Sequence, residues 1–180
     1  MLITVYWEDQ RGAQPKAFGP HALLLACPED ETRLGRWALS RMVVAIPKKG
    51  DNKLKTALER DAARAGDGGP VVFVFDHDHV RGLFGLAANA CKSDVLKAAH
   101  GLCRVNVTVV LLEDNVGDLL NACLRATGKP QLVLKPDPNE RDTVFQSIAA
   151  DSRSARDRVR ADVASFDRLV QCIQRNLSEP

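Results

Sequence analysis

Short apolar runs broken by charged or turn-forming stretches organise the whole chain. LITVYW (2–7) is β-branched and aromatic without polar interruption and predicts a buried strand ending at Glu8-Asp9. Residues 10–20 carry Gly12, Pro15, Gly19 and Pro20 and predict a loop. HALLLAC (21–27) predicts a short helix entered at Pro20 and ended or interrupted at Pro28, although its periodicity also admits a strand. MVVAI (42–46) is a second strand, leading into a turn rich in lysine and centred on Gly50. Leu54, Ala57, Leu58, Asp61 and Ala62 recur at helical spacing, with Asp51 or Asn52 available to cap that helix and Gly66–Pro70 to stop it.

VVFVF (71–75) is apolar without alternation, the pattern of a strand covered on both faces. It delivers Asp76-His77-Asp78-His79, after which a loop and a helix near 93–102 are expected. NVTVVLL (106–112) predicts another buried strand, VGDLLNACLRA (116–126) a helix, and LVL (132–134) a short strand. The last fifty residues are helical in character. Strands alternating with helices predict an α/β fold, a mostly parallel sheet flanked by helices in the Rossmann manner, with a helical C-terminal extension. The expected organisation is one domain over 1–180, with a core at about 1–127 and a helical cover at about 128–180.

Composition adds little beyond this frame. The 180 residues are 45% apolar and 27% charged, as in ordinary globular domains, and a net charge of +2 argues for no particular partner. The five cysteines are scattered and lack zinc-ligand spacing, which suits reduced thiols in a cytoplasmic protein. No apolar run is long enough for a membrane span, and MLITVYWED has no signal-peptide pattern.

Candidate chemistry sits at strand ends. Ligands of open parallel sheets gather beyond the carboxyl ends of the strands. Three predicted strands end there in acids: Glu8-Asp9, Asp76 with Asp78, and Glu113-Asp114. Carboxylates brought together repel and raise each other's pKa unless a cation lies between them. Mg²⁺ suits such a set, since it takes one or two carboxylates together with substrate phosphates. The alternative is that each Asp merely caps a turn or helix. His77 and His79 could add nitrogen ligands and favour Mn²⁺ or Zn²⁺; His21 and His100 read as structural or surface residues. Lys48, Lys49 and Lys53 flank Gly50 at a strand-to-helix turn, where phosphate is readily held, and Arg81 follows the aspartates. A solvated lysine turn remains the alternative. The arginines and aspartates of 153–168 read first as a salt-bridged helix.

Glutamate at the end of the first strand, a helix, and then an apolar strand ending in D-x-D resemble the Toprim pattern of topoisomerases, primases, OLD-type nucleases and small bacterial nuclease-like proteins. IPKKGDNKLKTALERDAARAGDGGPVVFVFDHD is most similar to the small bacterial members. The resemblance implies that Asp76 and Asp78 hold Mg²⁺ or Mn²⁺. Glu8 would serve as general acid/base or as a further ligand, and Lys48, Lys49, Lys53 and Arg81 would contact nucleic acid. Asp9, His77 and Glu113 are secondary candidates. It also implies a nuclease acting beside a partner such as an ATPase, for example in antiviral defence. Two departures stand out: Asp9 rather than glycine follows Glu8, and Gly82 lies four residues after Asp78 rather than three. They motivate a second expectation, a non-catalytic subunit of the same fold that binds metal or a partner. VVFVFDHDHV also matches the D-x-D-x-V of haloacid-dehalogenase-like phosphatases, in which Asp76 would be the nucleophile.

Overall fold

The computed structural model describes residues 1–8, 19–48, 50–61, 69–103, 107–112, 116–130 and 137–178, and for Asp61, Asp78, His79 and Pro138 the backbone alone. The chain falls into two compact units: Met1–Pro15 with Met42–Asp114, and Lys16–Arg41 with Asn115–Pro180.

The first unit holds the sheet. Strands β1 (Ile3–Glu8), β2 (Val43–Lys48), β3 (Val71–Asp76) and β4 (Val107–Leu112) pair in the order β2-β1-β3-β4. All three pairings are parallel, as expected for an α/β fold. Helices α3 (Asp51–Asp61), α4 (His77–Leu83) and α5 (Lys92–Gly101) belong to this unit; α1 (Gly19–Glu31) and α2 (Arg36–Met42) lie between β1 and β2 in the chain. Side chains alternate across a strand, so Tyr6, Phe73, Phe75, Val109 and Leu111 share one face. They form one core with Leu54 and Leu58 of α3, Val80 of α4 and Val95 and Ala99 of α5. Tyr6 stacks on Phe73, its register partner, with centroids 4.5 Å apart and planes within 5°. Ile3, Val5, Trp7, Val72 and Val74 alternate with these and are also buried, which is why β1 and β3 read as unbroken apolar runs.

Gly69 sets the entry to β3. Its φ is +30°, and a Cβ there would lie 2.0 Å from the Leu2 carbonyl oxygen, so only glycine fits where the chain crosses the start of β1. The Pro70 carbonyl then accepts the Thr4 amide at 3.0 Å.

The second unit is helical: α1, α2, α6 (Val116–Ala126), α7 (Pro138–Ala150), α8 (Arg153–Asp162) and α9 (Ala164–Ser178). Residue 19 must be small because a Cβ would meet the Asp142 Cα at 2.8 Å and the Phe145 Cβ at 2.9 Å. This close approach lets the Asp142 carboxylate accept the Gly19 amide at 3.2 Å, satisfying a donor in the first turn of α1. No helix among the described residues is long and apolar enough to cross a membrane.

Two local expectations change. Helix α1 runs through Pro28 to Glu31 rather than ending at the proline; buried Leu23, Leu24, Leu25 and Ala26 hold it in place despite the lost backbone bond. After β3 the chain enters α4 directly, where a loop was expected; Val80, 1% exposed, anchors this helix in the core. The strand expected at 132–134 lies outside the described residues.

Candidate functional site

Because β1 pairs with β2 on one side and β3 on the other, strand order reverses between β1 and β3. In open parallel sheets the crevice for a ligand opens at such a switch point, beyond the carboxyl ends of the strands. Glu8 is the last residue of β1 and Asp76 the last of β3. Two of the expected acids therefore stand on adjacent strands on either side of the switch point, at the carboxyl ends of the strands.

Glu8 is half-buried and accepts a hydrogen bond from the Asp76 backbone amide. Its side chain also hydrogen-bonds that of Asp51, the first residue of α3. Burial is the largest influence on its acidity, followed by the hydrogen bond to Asp51 and the negative charges of Asp76 and Asp51. The Asp76 amide pulls the other way, and together they push the Glu8 pKa up to about 9. Glu8 is thus protonated at neutral pH in the metal-free protein, able to donate to the Asp51 carboxylate. Asp51 is the site residue that sequence reading missed, having been assigned to helix capping. The available signal was its place just after the β2 turn, at the same sheet edge as Glu8 and Asp76.

Asp76 occupies the N-cap position of α4, yet its side chain makes no capping hydrogen bond. The capping alternative therefore does not account for this carboxylate. Asp78 falls in the first turn of α4. Asp9, Lys49 and Glu113 lie outside the described residues.

The basic candidates separate. Lys48 is in register with Glu8 on the neighbouring strand, and its ammonium lies 5.2 Å from the Tyr6 ring centroid. Lys53 is exposed in the first turn of α3. Gly50, with φ +87°, makes the turn that starts this helix, and its carbonyl accepts the Lys53 and Leu54 amides at 3.1 Å each. Arg81 is drawn instead to the segment after α4: its Nε donates to the Ala90 carbonyl at 2.7 Å, and Nη2 is 3.4 Å from His77 Nε2. His21 is buried and His100 exposed, as expected of structural and surface residues.

Among the described residues no group of three or more His, Cys, Asp or Glu side chains is placed to hold a metal ion. The donor set is nevertheless all oxygen, with Glu8 and Asp76 ending adjacent strands and Asp51 hydrogen-bonded to Glu8. That composition fits a cation which keeps much of its water and takes few protein ligands, as Mg²⁺ does. No protein-family model, curated protein or solved structure matches the chain.

The raised Glu8 pKa has a measurable consequence in chelator. An unfolded glutamate releases its proton near pH 4.5, while the folded one keeps it to about 9. Between these values the folded state binds the extra proton, so this group lowers stability as pH rises. The cost is absent below pH 4.5 and fully present above 9. Glu8→Gln removes the ionisation. In urea unfolding it should match wild type at pH 5 and exceed it at pH 9 by about 1–2 kcal/mol, discounting for partial exposure of the site. A variant less stable than wild type at pH 9 would contradict this account of Glu8.

Proposed function

We propose that this chain is a Toprim-like, Mg²⁺-dependent phosphodiesterase acting on nucleic acid. The observation that carries the reading is the pairing of Glu8 and Asp76 at the β1/β3 switch point, with Asp51 hydrogen-bonded to Glu8. Asp76, with Asp78 as proposed partner, would hold the cation, which when bound polarises the scissile phosphate and acidifies a coordinated water. Glu8 is the proton-handling group: it carries a proton at neutral pH and has a carboxylate acceptor, Asp51, in reach. Lys48, in register with Glu8, is suited to neutralise a phosphate beside the scissile one. All five cysteines are free, which supports a reducing compartment such as the cytoplasm. Action beside an ATPase or in antiviral defence belongs to the same proposal and rests on the sequence resemblance alone.

The testing experiment incubates the purified chain with single- and double-stranded DNA and with RNA, in Mg²⁺, Mn²⁺ or chelator. Cleavage that requires the cation is expected. Failure on every substrate in either metal, alone and with the products of neighbouring genes, would favour the non-catalytic reading. The phosphatase alternative makes a separate demand: hydrolysis of small phosphomonoesters and capture of beryllium fluoride at Asp76. Neither is expected here, because the proposed chemistry has no aspartyl-phosphate step.

A further inference from the structure

Trp37, on α2, is 73% exposed, while Trp7, the other tryptophan of the chain, is 1% exposed. Helix α2 is held from its inner side. Leu39 is fully buried and its amide donates to the Gly35 carbonyl at 3.1 Å. Arg36 pairs with Glu29 and donates to the Ala149 carbonyl at 2.8 Å. That anchoring leaves Trp37 and Arg41, one helical turn apart, exposed together. The Arg41 guanidinium lies 4.8 Å from the Trp37 ring centroid, a cation–π arrangement that covers one face of the ring.

Local charge is not balanced. The acids nearest in sequence, Glu29, Asp30 and Glu31, are each held by a particular arginine: Arg36, Arg156 and Arg160. Arg33 and Arg41 are both exposed, and neither has a carboxylate partner among the described residues. The stretch 33–41 therefore presents one large flat ring with two uncompensated guanidinium groups.

We infer that this surface is a stacking platform for single-stranded nucleic acid. A base would lie on the Trp37 face opposite Arg41, and Arg33 and Arg41 would meet the flanking phosphates. Every base has a π-face, so such a platform tolerates sequence, and guanidinium forks suit phosphate oxygens. Protein partners also use Trp and Arg as anchors, but within an apolar patch. In the stretch 33–41 the other exposed residues are Arg33, Gly35, Ser40 and Arg41, with Leu34 and Ala38 half-buried, a composition that favours a phosphate-bearing ligand. The inference rests on the proposed reading only in taking nucleic acid as the ligand, and not on cleavage.

The test uses the full chain in chelator, so that binding is read without chemistry. Emission accessible to acrylamide belongs to Trp37, because Trp7 is buried. Oligo(dT) should quench this emission and shield it from acrylamide, and a matching duplex should do so much less. Trp37→Ala should weaken oligo(dT) binding by about 5- to 150-fold, with Trp37→Phe recovering most of the loss. Arg33→Gln with Arg41→Gln should flatten the dependence of log K on log salt by about 1.4 for two lost phosphate contacts. Unchanged Trp37 emission on adding oligo(dT), or equal binding by Trp37→Ala, overturns the platform. So does acrylamide protection that grows with protein concentration alone, which would mark a protein contact. Metal-dependent cleavage that survives in Trp37→Ala with unaltered binding sinks the platform and spares the nuclease. Oligo(dT) binding through Trp37 without cleavage does the reverse.

Discussion

Asp76→Asn is expected to remove metal-dependent cleavage while leaving the fold intact. A Lewis-acid cation supplies several kcal/mol of transition-state stabilisation, and about 1.4 kcal/mol is tenfold in rate. The loss should therefore be at least about 10²–10³-fold under saturating Mg²⁺. Asp76 adds negative charge beside Glu8 in the metal-free protein. Asparagine removes that charge, so the melting temperature in chelator should be unchanged at neutral pH, where Glu8 is protonated, and higher near pH 9, where Glu8 ionises. The combination matters: lost activity with a lower melting temperature would report damage to the start of α4, where Asp76 is the N-cap residue. Full cleavage by Asp76→Asn would end the metal reading. Glu8→Gln gives an independent check, because general acid–base roles contribute about 10²–10⁴ in rate. In the phosphatase alternative the chemistry centres on Asp76, and Glu8→Gln would be nearly silent.

Arg156→Ala is expected to be the most destabilising of the substitutions considered. Arg156 joins α8 to α1 through a bidentate pair with Asp30, with Nε–Oδ2 at 2.7 Å and Nη2–Oδ1 at 2.6 Å. Its Nη1 also donates to the Ala149 carbonyl at 3.2 Å and to the Asp151 carbonyl, both near the end of α7. The two side chains are 8% and 14% exposed. Removing the arginine strands a largely buried carboxylate and takes a donor from the Asp151 carbonyl, while the Ala149 carbonyl keeps its bond from Arg36, a loss of about 3–5 kcal/mol. For a chain of this size each kcal/mol moves the melting temperature by about 2–4 °C, so a drop of roughly 6–20 °C should follow. Converting both partners, as in Asp30→Leu with Arg156→Met, should recover most of the stability, because no charge is left without its partner. If Arg156→Ala costs under about 1 kcal/mol, the pair is behaving as an exposed surface bridge and the burial argument fails.

The sequence announced the strands and the α/β class, because uninterrupted β-branched and aromatic runs such as VVFVF have few alternatives to a covered parallel strand. It also announced that acids end those strands, since Glu8 and Asp76 directly follow apolar residues. The reach of a helix past Pro28 and the start of α4 at His77 were not legible, because both depend on buried side chains, Leu23 to Ala26 and Val80, that outweigh local signals. Strand order was equally hidden. Any arrangement of four parallel strands satisfies the same hydrophobic pattern, and the pairing β2-β1-β3-β4 alone sets Glu8 beside Asp76 at a switch point. Asp51 shows the limit most clearly. Its position at the head of α3 marked it as a cap, whereas the proximity of the β2 turn to the end of β1 makes it the hydrogen-bond partner of Glu8. Local pattern determined which residues form strands and where charge leaves them; only tertiary pairing, which brings residues 8, 51 and 76 together across some seventy positions of chain, determined which charges interact.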